Sequence, residues 1–85
     1  MMTFNYVITD EVGIHARPAG LLVKAAKEIG SKVTVACNGK SADATKLMML
    51  MSLGVKQGME VTVTVEGDNE AADGETIKKF FEENL

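Results

Sequence analysis

Residues 32–43 read KVTVACNGKSAD and predict the hairpin around which the fold is organised. The first half of this segment alternates apolar and polar side chains, which is the period of a half-buried strand. Asn38-Gly39 follows, and this pair is the strongest short signal for a two-residue hairpin turn. A short second strand is therefore expected to return through residues 40–43.

The flanking segments extend this hairpin into an alternating order of strands and helices. Residues 3–9 and 60–66 also alternate with period two, whereas residues 16–29 carry an apolar stripe at helical spacing. Residues 46–53 predict a short helix and residues 70–84 a third helix. The order β-α-β-β-α-β-α, with strands that have polar outer faces, predicts an α+β fold in which helices cover one face of an antiparallel sheet.

Composition restricts the classes of function. With 85 residues, of which 46% are hydrophobic, we expect residues 1–85 to form a single domain rather than a multidomain enzyme. One cysteine and one histidine exclude a disulfide framework within the chain and a zinc or multi-histidine metal site. Since no apolar stretch approaches the roughly 18 residues of a membrane span, we expect a soluble cytoplasmic protein without membrane insertion. The net charge of −3 argues against nucleic acid as a partner.

Charge is unevenly distributed along the chain. Residues 66–85 carry seven acidic residues and two lysines, whereas residues 1–65 carry five acidic and seven basic residues. The plain interpretation is a solvated acidic helix at the end of the chain. The functional interpretation is that the remaining surface presents a basic rim to an acidic partner.

Residues 13–19, GIHARPA, form the segment in which chemistry is expected. His15 stands at the start of a predicted helix, and Pro18 suits the first turn because its missing N–H costs nothing there. The free backbone N–H groups of Ala16 and Arg17, together with the helix dipole, would form an anion site. The Arg17 guanidinium adds a cation whose geometry matches a phosphate. The pattern combines a nucleophilic imidazole with a phosphate cradle; the alternative is a histidine that merely caps a helix beside a surface arginine.

This segment resembles the active-site signature of HPr, the histidine-containing phosphocarrier family of the bacterial phosphoenolpyruvate-dependent sugar phosphotransferase system. Asn38-Gly39-Lys40 falls where the family has the same residues, and Met51-Ser52-Leu53-Gly54 resembles the second signature of the family. The resemblance extends over essentially all 85 residues.

The resemblance implies both a fold and a role. The fold is an open-faced β-sandwich, βαββαβα, with a four-stranded antiparallel sheet and three helices on one face. The role is a phosphoryl relay rather than an independent enzyme, without cofactor or metal, in a monomer. His15 would accept a phosphoryl group on Nδ1 from phosphorylated enzyme I and pass it to a histidine of a sugar-specific IIA component. Arg17 would help to hold the phosphoryl group.

The predicted short helix contains more apolar side chains than it can bury. Leu50 and Leu53, three residues apart, form the expected core pair, which leaves Leu47, Met48 and Met51 for an exposed docking patch. Methionine is flexible and polarizable, which suits a surface that must fit several partners. A fully buried helix is the alternative. In the family, this region and one side of the first helix contact both enzyme I and IIA, and the corresponding residues here are Gly20, Lys24 and Lys27.

The chain departs from the family at the start of this short helix. The position of the regulatory serine is Lys46, which cannot accept a phosphate from HPr kinase. We interpret Thr45 as the N-cap of the helix, with its hydroxyl bound to the backbone. Serine-type regulation, and with it a corepressor role, is therefore not expected.

Further departures concern single positions. Val12 stands where the family often has a polar residue, and Met49 replaces a small or polar residue and enlarges the apolar patch. Asp73-Gly74 replaces an apolar, helix-forming pair. Glycine inside a helix costs about 1 kcal/mol relative to alanine, so the third helix is expected to start late or to bend near Gly74. Cys37 is expected on the inward face of its strand, without a function of its own.

Two alternatives to a general carrier remain open. A regulatory HPr-like interaction module would bind partners without carrying a phosphoryl group. A specialised relay would serve a single sugar or nitrogen regulation. Family members that only bind partners typically lack the active-site histidine, whereas this chain has His15.

Overall fold

The computed structural model describes residues 1–11, 13–14 and 16–85. Its seven elements follow in the predicted order: β1 (Met2–Val7), α1 (Ala16–Glu28), β2 (Lys32–Cys37), β3 (Lys40–Asp43), α2 (Leu47–Ser52), β4 (Glu60–Glu66) and α3 (Glu70–Asn84). The four strands form one antiparallel sheet in the order β1-β4-β2-β3. Within the described ranges, none of the helices has the length and apolar character needed to cross a membrane.

The predicted hairpin between β2 and β3 is confirmed. Cys37 pairs with Lys40, and the two residues between them have positive φ angles, 52° at Asn38 and 80° at Gly39. Such a pair of left-handed residues is what a type I′ turn requires, and Asn-Gly adopts it with little strain. The local sequence therefore sets the register of this edge of the sheet.

The core lies between the sheet and the helices. On β4, Val61, Val63 and Val65 are fully buried, and the side chains between them are half-exposed on the opposite face. From the helical side, Phe81 packs edge-to-face against Phe4, with ring centroids 5.9 Å apart. Cys37 is buried, as expected from its inward position. The predicted open-faced sandwich, with three helices against one face of the sheet, is confirmed.

The expectation of a late start of the third helix is wrong, whereas the alternative of a bend near Gly74 stays a prediction. α3 begins at Glu70 and continues without interruption through Gly74 to Asn84. Gly74 is buried, and a Cβ atom there would lie 2.0 Å from Sδ of Met2, so the glycine leaves room for that side chain. Asp73 is also buried and accepts a hydrogen bond of 2.5 Å from the Ser31 hydroxyl. These tertiary contacts offset the low helix propensity of glycine.

Candidate functional site

The start of α1 is exposed and carries a cation in its first turn. The helix begins at Ala16, and both Ala16 and Arg17 are exposed, whereas Pro18 is buried against the core. The first N–H groups of a helix have no partner within it and lie at the positive end of its dipole. Exposed backbone donors and the Arg17 guanidinium can together bind an anion such as a phosphoryl group.

The proposed acceptor precedes this helix directly in the sequence. His15 and Val12 lie outside the described residues, so the predictions for them stay predictions. The predicted helix start next to His15, with Pro18 in its first turn, is confirmed.

The loop before α1 is held against the segment that follows α2. The N–H of Ile14 donates a 3.1 Å hydrogen bond to the carbonyl oxygen of Val55, and the N–H of Gly13 donates to the carbonyl of Asp10. Gly13 has a φ of 80°, and a Cβ atom there would lie 2.3 Å from the Val55 oxygen and 2.7 Å from Cα of Lys56. Only glycine fits this approach. The sequence analysis missed the role of Gly13, because its contact depends on a distant part of the chain.

A surface depression of about 280 Å³ adjoins the start of α1. It lies between the first two turns of α1 and the end of α3, and its lining comprises Asp10, Arg17, Pro18, Leu21, Glu83 and Asn84. The depression leaves space around the Arg17 side chain on the side of α3. The guanidinium can therefore change its position without displacing core residues.

The short helix α2 exposes most of its apolar side chains, as predicted. Leu50 and Leu53 are buried, which confirms them as the core pair. Met48 is 76% exposed and Met49 47%, and the neighbouring Leu47 and Met51 are exposed as well. We call Leu47, Met48, Met49 and Met51 the methionine patch. A fully buried α2, the alternative, is excluded.

The interpretation of Thr45 as the N-cap of α2 is wrong. The N-cap residue is Lys46, and no side-chain hydrogen bond caps the helix at this described residue. The Thr45 hydroxyl instead donates to Oδ1 of Asp43 at 2.6 Å, and the Thr45 N–H donates to the same oxygen at 2.9 Å. An aspartate two residues ahead forms a stable local turn with the backbone. This turn of Asp43, Thr45 and Lys46 therefore fixes the entry into α2.

The electrostatics of this turn follow from its hydrogen bonds. The Thr45 hydroxyl and the Thr45 N–H hold the pKa of Asp43 below its ordinary value of 3.8, and the charges of Lys32 and Lys46 act in the same direction, partly opposed by desolvation. The carboxylate is thus ionised throughout the physiological range, and the turn is formed with a charged acceptor.

We predict that an Asp43→Ala variant loses about 1–2 kcal/mol of stability at neutral pH, since it removes both bonds to a charged acceptor. The pKa of Asp43 is lower in the folded state, so its contribution is full above 3.8 and is lost as pH falls through the lower folded value. Denaturant unfolding at a series of pH values should show a constant difference between wild type and variant above pH 3.8, and a difference that shrinks as pH falls below that value. The matched Asp43→Asn variant keeps an acceptor but cannot titrate, and its stability should lack this acid-dependent component.

The lysines expected around the patch are exposed. Lys24 and Lys27 lie on the outer side of α1, with Gly20 half-buried on the same helix, and α1 packs against α2. Lys46 and Lys56 are exposed before and after α2. The structure thus combines an apolar patch and several cations on the helical side of the sheet.

This chain is similar to a known protein family over nearly its whole length. The family model described as PTS HPr component phosphorylation site matches residues 2–83. The chain belongs to this HPr family. The family as a whole implies a phosphoryl-carrier role in the phosphotransferase system.

Individual relatives are similar to this protein along nearly the whole chain. The phosphocarrier protein HPr of Mycoplasma capricolum is 35% identical over 79 residues, which cover 93% of this chain and 89% of the relative. A crystal structure of HPr-C-His from Thermoanaerobacter tengcongensis has a TM-score of 0.90 at 35% identity, with 96% of this chain and 92% of the other covered. An HPr dimer from the same organism has a TM-score of 0.75 at 36% identity, with 92% and 90% covered.

Proposed function

We propose that this protein is a phosphoryl carrier that accepts a phosphoryl group on His15 from phosphorylated enzyme I and delivers it to a sugar-specific IIA component. The observation that supports this most directly is the exposed start of α1, immediately after His15 in sequence, with Arg17 in the first turn. Membership in the HPr family supports the same role. We further propose that residues 1–85 act as one domain in the cytoplasm.

The reaction makes modest chemical demands on the carrier. Nδ1 of His15, as a neutral imidazole, forms a bond to phosphorus while the bond to the donor breaks, and the second transfer repeats this step with His15 as the donor. Phosphoryl transfer depends mainly on alignment and charge neutralisation. The N–H groups at the start of α1 and the Arg17 fork supply positive charge for the phosphoryl oxygens.

Docking to both partners is assigned to the methionine patch and to the side of α1 that carries Gly20, Lys24 and Lys27. The apolar patch gives contact area that flexible side chains can adapt to more than one partner. The surrounding lysines favour partners with an acidic surface and increase the rate of encounter.

The proposal is tested by phosphoryl transfer from phosphoenolpyruvate through a bacterial enzyme I, read by intact mass. We expect a single added phosphoryl group that is lost in acid, as expected for phosphohistidine, and its transfer to an added IIA. If several enzymes I add nothing to a folded chain, the carrier role is wrong and a regulatory interaction module takes its place. Single-sugar or nitrogen-related relays are separated from a general carrier by the range of IIA components served.

Regulation at the start of α2 is proposed to be absent. Lys46 has no hydroxyl, and the hydroxyl of Thr45 is engaged by the Asp43 carboxylate. Incubation with HPr kinase and ATP should therefore leave the mass of the protein unchanged, while an HPr that has the serine is labelled in parallel.

The oligomeric state is proposed to be monomeric. One similar solved structure is named as an HPr dimer, so the state needs a direct measurement. Light scattering during size exclusion should give the mass of a single 9.1 kDa chain across the working concentrations. A mass of twice that value would contradict the proposal.

We predict that Arg17→Ala slows phosphoryl transfer roughly 10- to 100-fold, since a charge-assisted bidentate contact to the phosphoryl group is lost. The apparent affinity for enzyme I should change by less than about fivefold, because Arg17 is exposed and surface charge pairs are weak. The transfer rate at saturating enzyme I gives the effect on the reaction, and the dependence of the rate on enzyme I concentration gives the effect on affinity. Arg17→Lys is the matched control, and it should restore part of the rate. Equal losses in rate and affinity would make Arg17 a docking residue instead.

We predict that Met48→Asp weakens docking to enzyme I roughly tenfold, because it places a charge in the centre of an apolar contact. Stability should stay within about 0.5 kcal/mol of wild type, since Met48 is exposed and an acid in the first turn of a helix is favourable. Titration calorimetry and chemical unfolding give the two values. Ala71→Asp, an exposed change in the first turn of α3, is the matched control and should leave docking unchanged.

A further inference from the structure

The methionines of this chain fall into groups of different exposure. On α2, Met48 is 76% exposed, Met49 47% and Met51 38%. Met2 and Met59 are instead half-buried and packed against the core. The short helix α2 thus exposes three thioethers to solvent.

We propose that the three α2 methionines are an oxidation site, at which peroxides convert the methionine patch into a polar surface and so reduce docking. The loss of docking rests on the proposed carrier function, whereas the preference for oxidation of α2 does not. The oxidant class is hydrogen peroxide or an organic hydroperoxide.

The chemistry needs accessible sulfur and no other group of the protein. A lone pair of the thioether attacks the terminal peroxide oxygen, the O–O bond breaks and an S–O bond forms. After proton transfer, hydrogen peroxide leaves as water and an organic hydroperoxide leaves as its alcohol. The sulfur loses two electrons, and the peroxide gains them. Exposure decides which methionine reacts first.

The local surroundings strengthen the contrast between the two groups. The sulfur of Met59 accepts a hydrogen bond from the Lys56 N–H at 3.1 Å, which engages one of its lone pairs. The sulfur of Met2 lies close to the buried Gly74. The thioethers of α2 extend from a helix whose buried residue is Leu50, with Leu53 buried directly after it, so a sulfoxide on α2 changes the surface and leaves the core intact.

The consequence is a change of polarity where the apolar contact area is needed. Methionine sulfoxide is polar, and it disrupts interfaces that depend on methionine. The change is reversible by methionine sulfoxide reductases, so oxidation at α2 would lower phosphoryl flow during peroxide stress and allow its recovery.

The first part of the test maps oxidation by peptide mass spectrometry after graded hydrogen peroxide. Trypsin cleaves after Lys46 and Lys56, so residues 47–56 hold all three α2 methionines in one peptide, and fragmentation separates them. We expect Met48 to oxidise first, and the α2 sites to react at least about threefold faster than Met2 and Met59. Equal rates at all these positions would overturn the proposal. Met1 is also exposed and is scored separately.

The second part measures transfer from enzyme I before and after oxidation. We expect the oxidised wild type to transfer roughly tenfold more slowly at limiting enzyme I, with recovery after treatment with a sulfoxide reductase. The matched variant M48L/M49L/M51L keeps an apolar patch and Met1. Its transfer after peroxide is compared only with its own untreated rate, and the two should be equal. Unchanged transfer by fully oxidised wild type would overturn the inference.

Failure of the carrier proposal is distinguishable from failure of this inference. If untreated wild type and the leucine variant both fail to transfer, the proposed function is wrong. The oxidation map then still decides whether α2 is the oxidation site. Retention on a phenyl resin decides whether oxidation changes the polarity of the patch, since oxidised wild type should lose retention and the leucine variant should not.

Discussion

A His15→Ala variant is expected to accept no phosphoryl group from phosphorylated enzyme I, whereas the wild type accepts a single one. The chain contains one histidine, so the substitution removes every imidazole that could form a phosphohistidine. Intact mass after incubation with phosphoenolpyruvate and enzyme I gives the answer directly. The expected effect is complete loss of acid-labile labelling.

Two controls make this result specific to His15. The free energy of unfolding of the variant should stay within about 0.5 kcal/mol of wild type, which shows that the fold is intact. Thr45→Ala removes the hydroxyl that precedes α2, and this variant should be labelled like wild type. Labelling of His15→Ala that survives acid would place the phosphoryl group on a hydroxyl and contradict the site assignment.

Gly13→Ala is expected to cause the largest loss of stability among these variants, about 3 kcal/mol or more. The new Cβ atom would lie 2.3 Å from a backbone oxygen of Val55, at a φ of 80° that side chains rarely adopt. Backbone strain of this kind costs about 1–3 kcal/mol, and displacement of the Val55 segment adds to it. Chemical denaturation measures the change. Transfer should also slow, because the loop that leads into α1 must move.

Gly39→Ala is the matched control for this prediction. Gly39 has the same φ of 80°, but a Cβ atom there would meet nothing within 4 Å. Its substitution therefore reports the cost of the backbone conformation alone, about 1 kcal/mol. If both variants lose the same free energy of unfolding, the close approach of Gly13 to Val55 adds nothing to the cost of the Gly13→Ala substitution.

Local patterns in the sequence were sufficient for much of this fold. The hairpin at Asn38-Gly39 was predictable because its turn type depends on those two residues alone. The exposure of Met48 was predictable because a short helix has few positions that can face the core. In both cases the determining interactions lie within a few residues of each other.

The features that were predicted wrongly or missed depend on interactions that residue preferences do not decide. Thr45 has the side chain of an N-cap, but Asp43 offers its hydroxyl a charged acceptor, and residue preferences do not decide between such competing bonds. Gly74 lowers helix propensity, yet the contact with Met2 and the buried bond of Asp73 depend on where β1 and Ser31 lie in space. The same holds for Gly13, whose neighbour Val55 is distant in sequence.

The attachment of the loop at Gly13 and Ile14 to Val55 uses backbone atoms on the Val55 side. This tie between the start of α1 and the segment after α2 therefore does not involve the side chains that α2 exposes. Substitutions at Met48, Met49 or Met51 can change the exposed surface without removing the tie. If the proposed function holds, docking preference can change within one short helix while the attachment of the loop before α1 is kept.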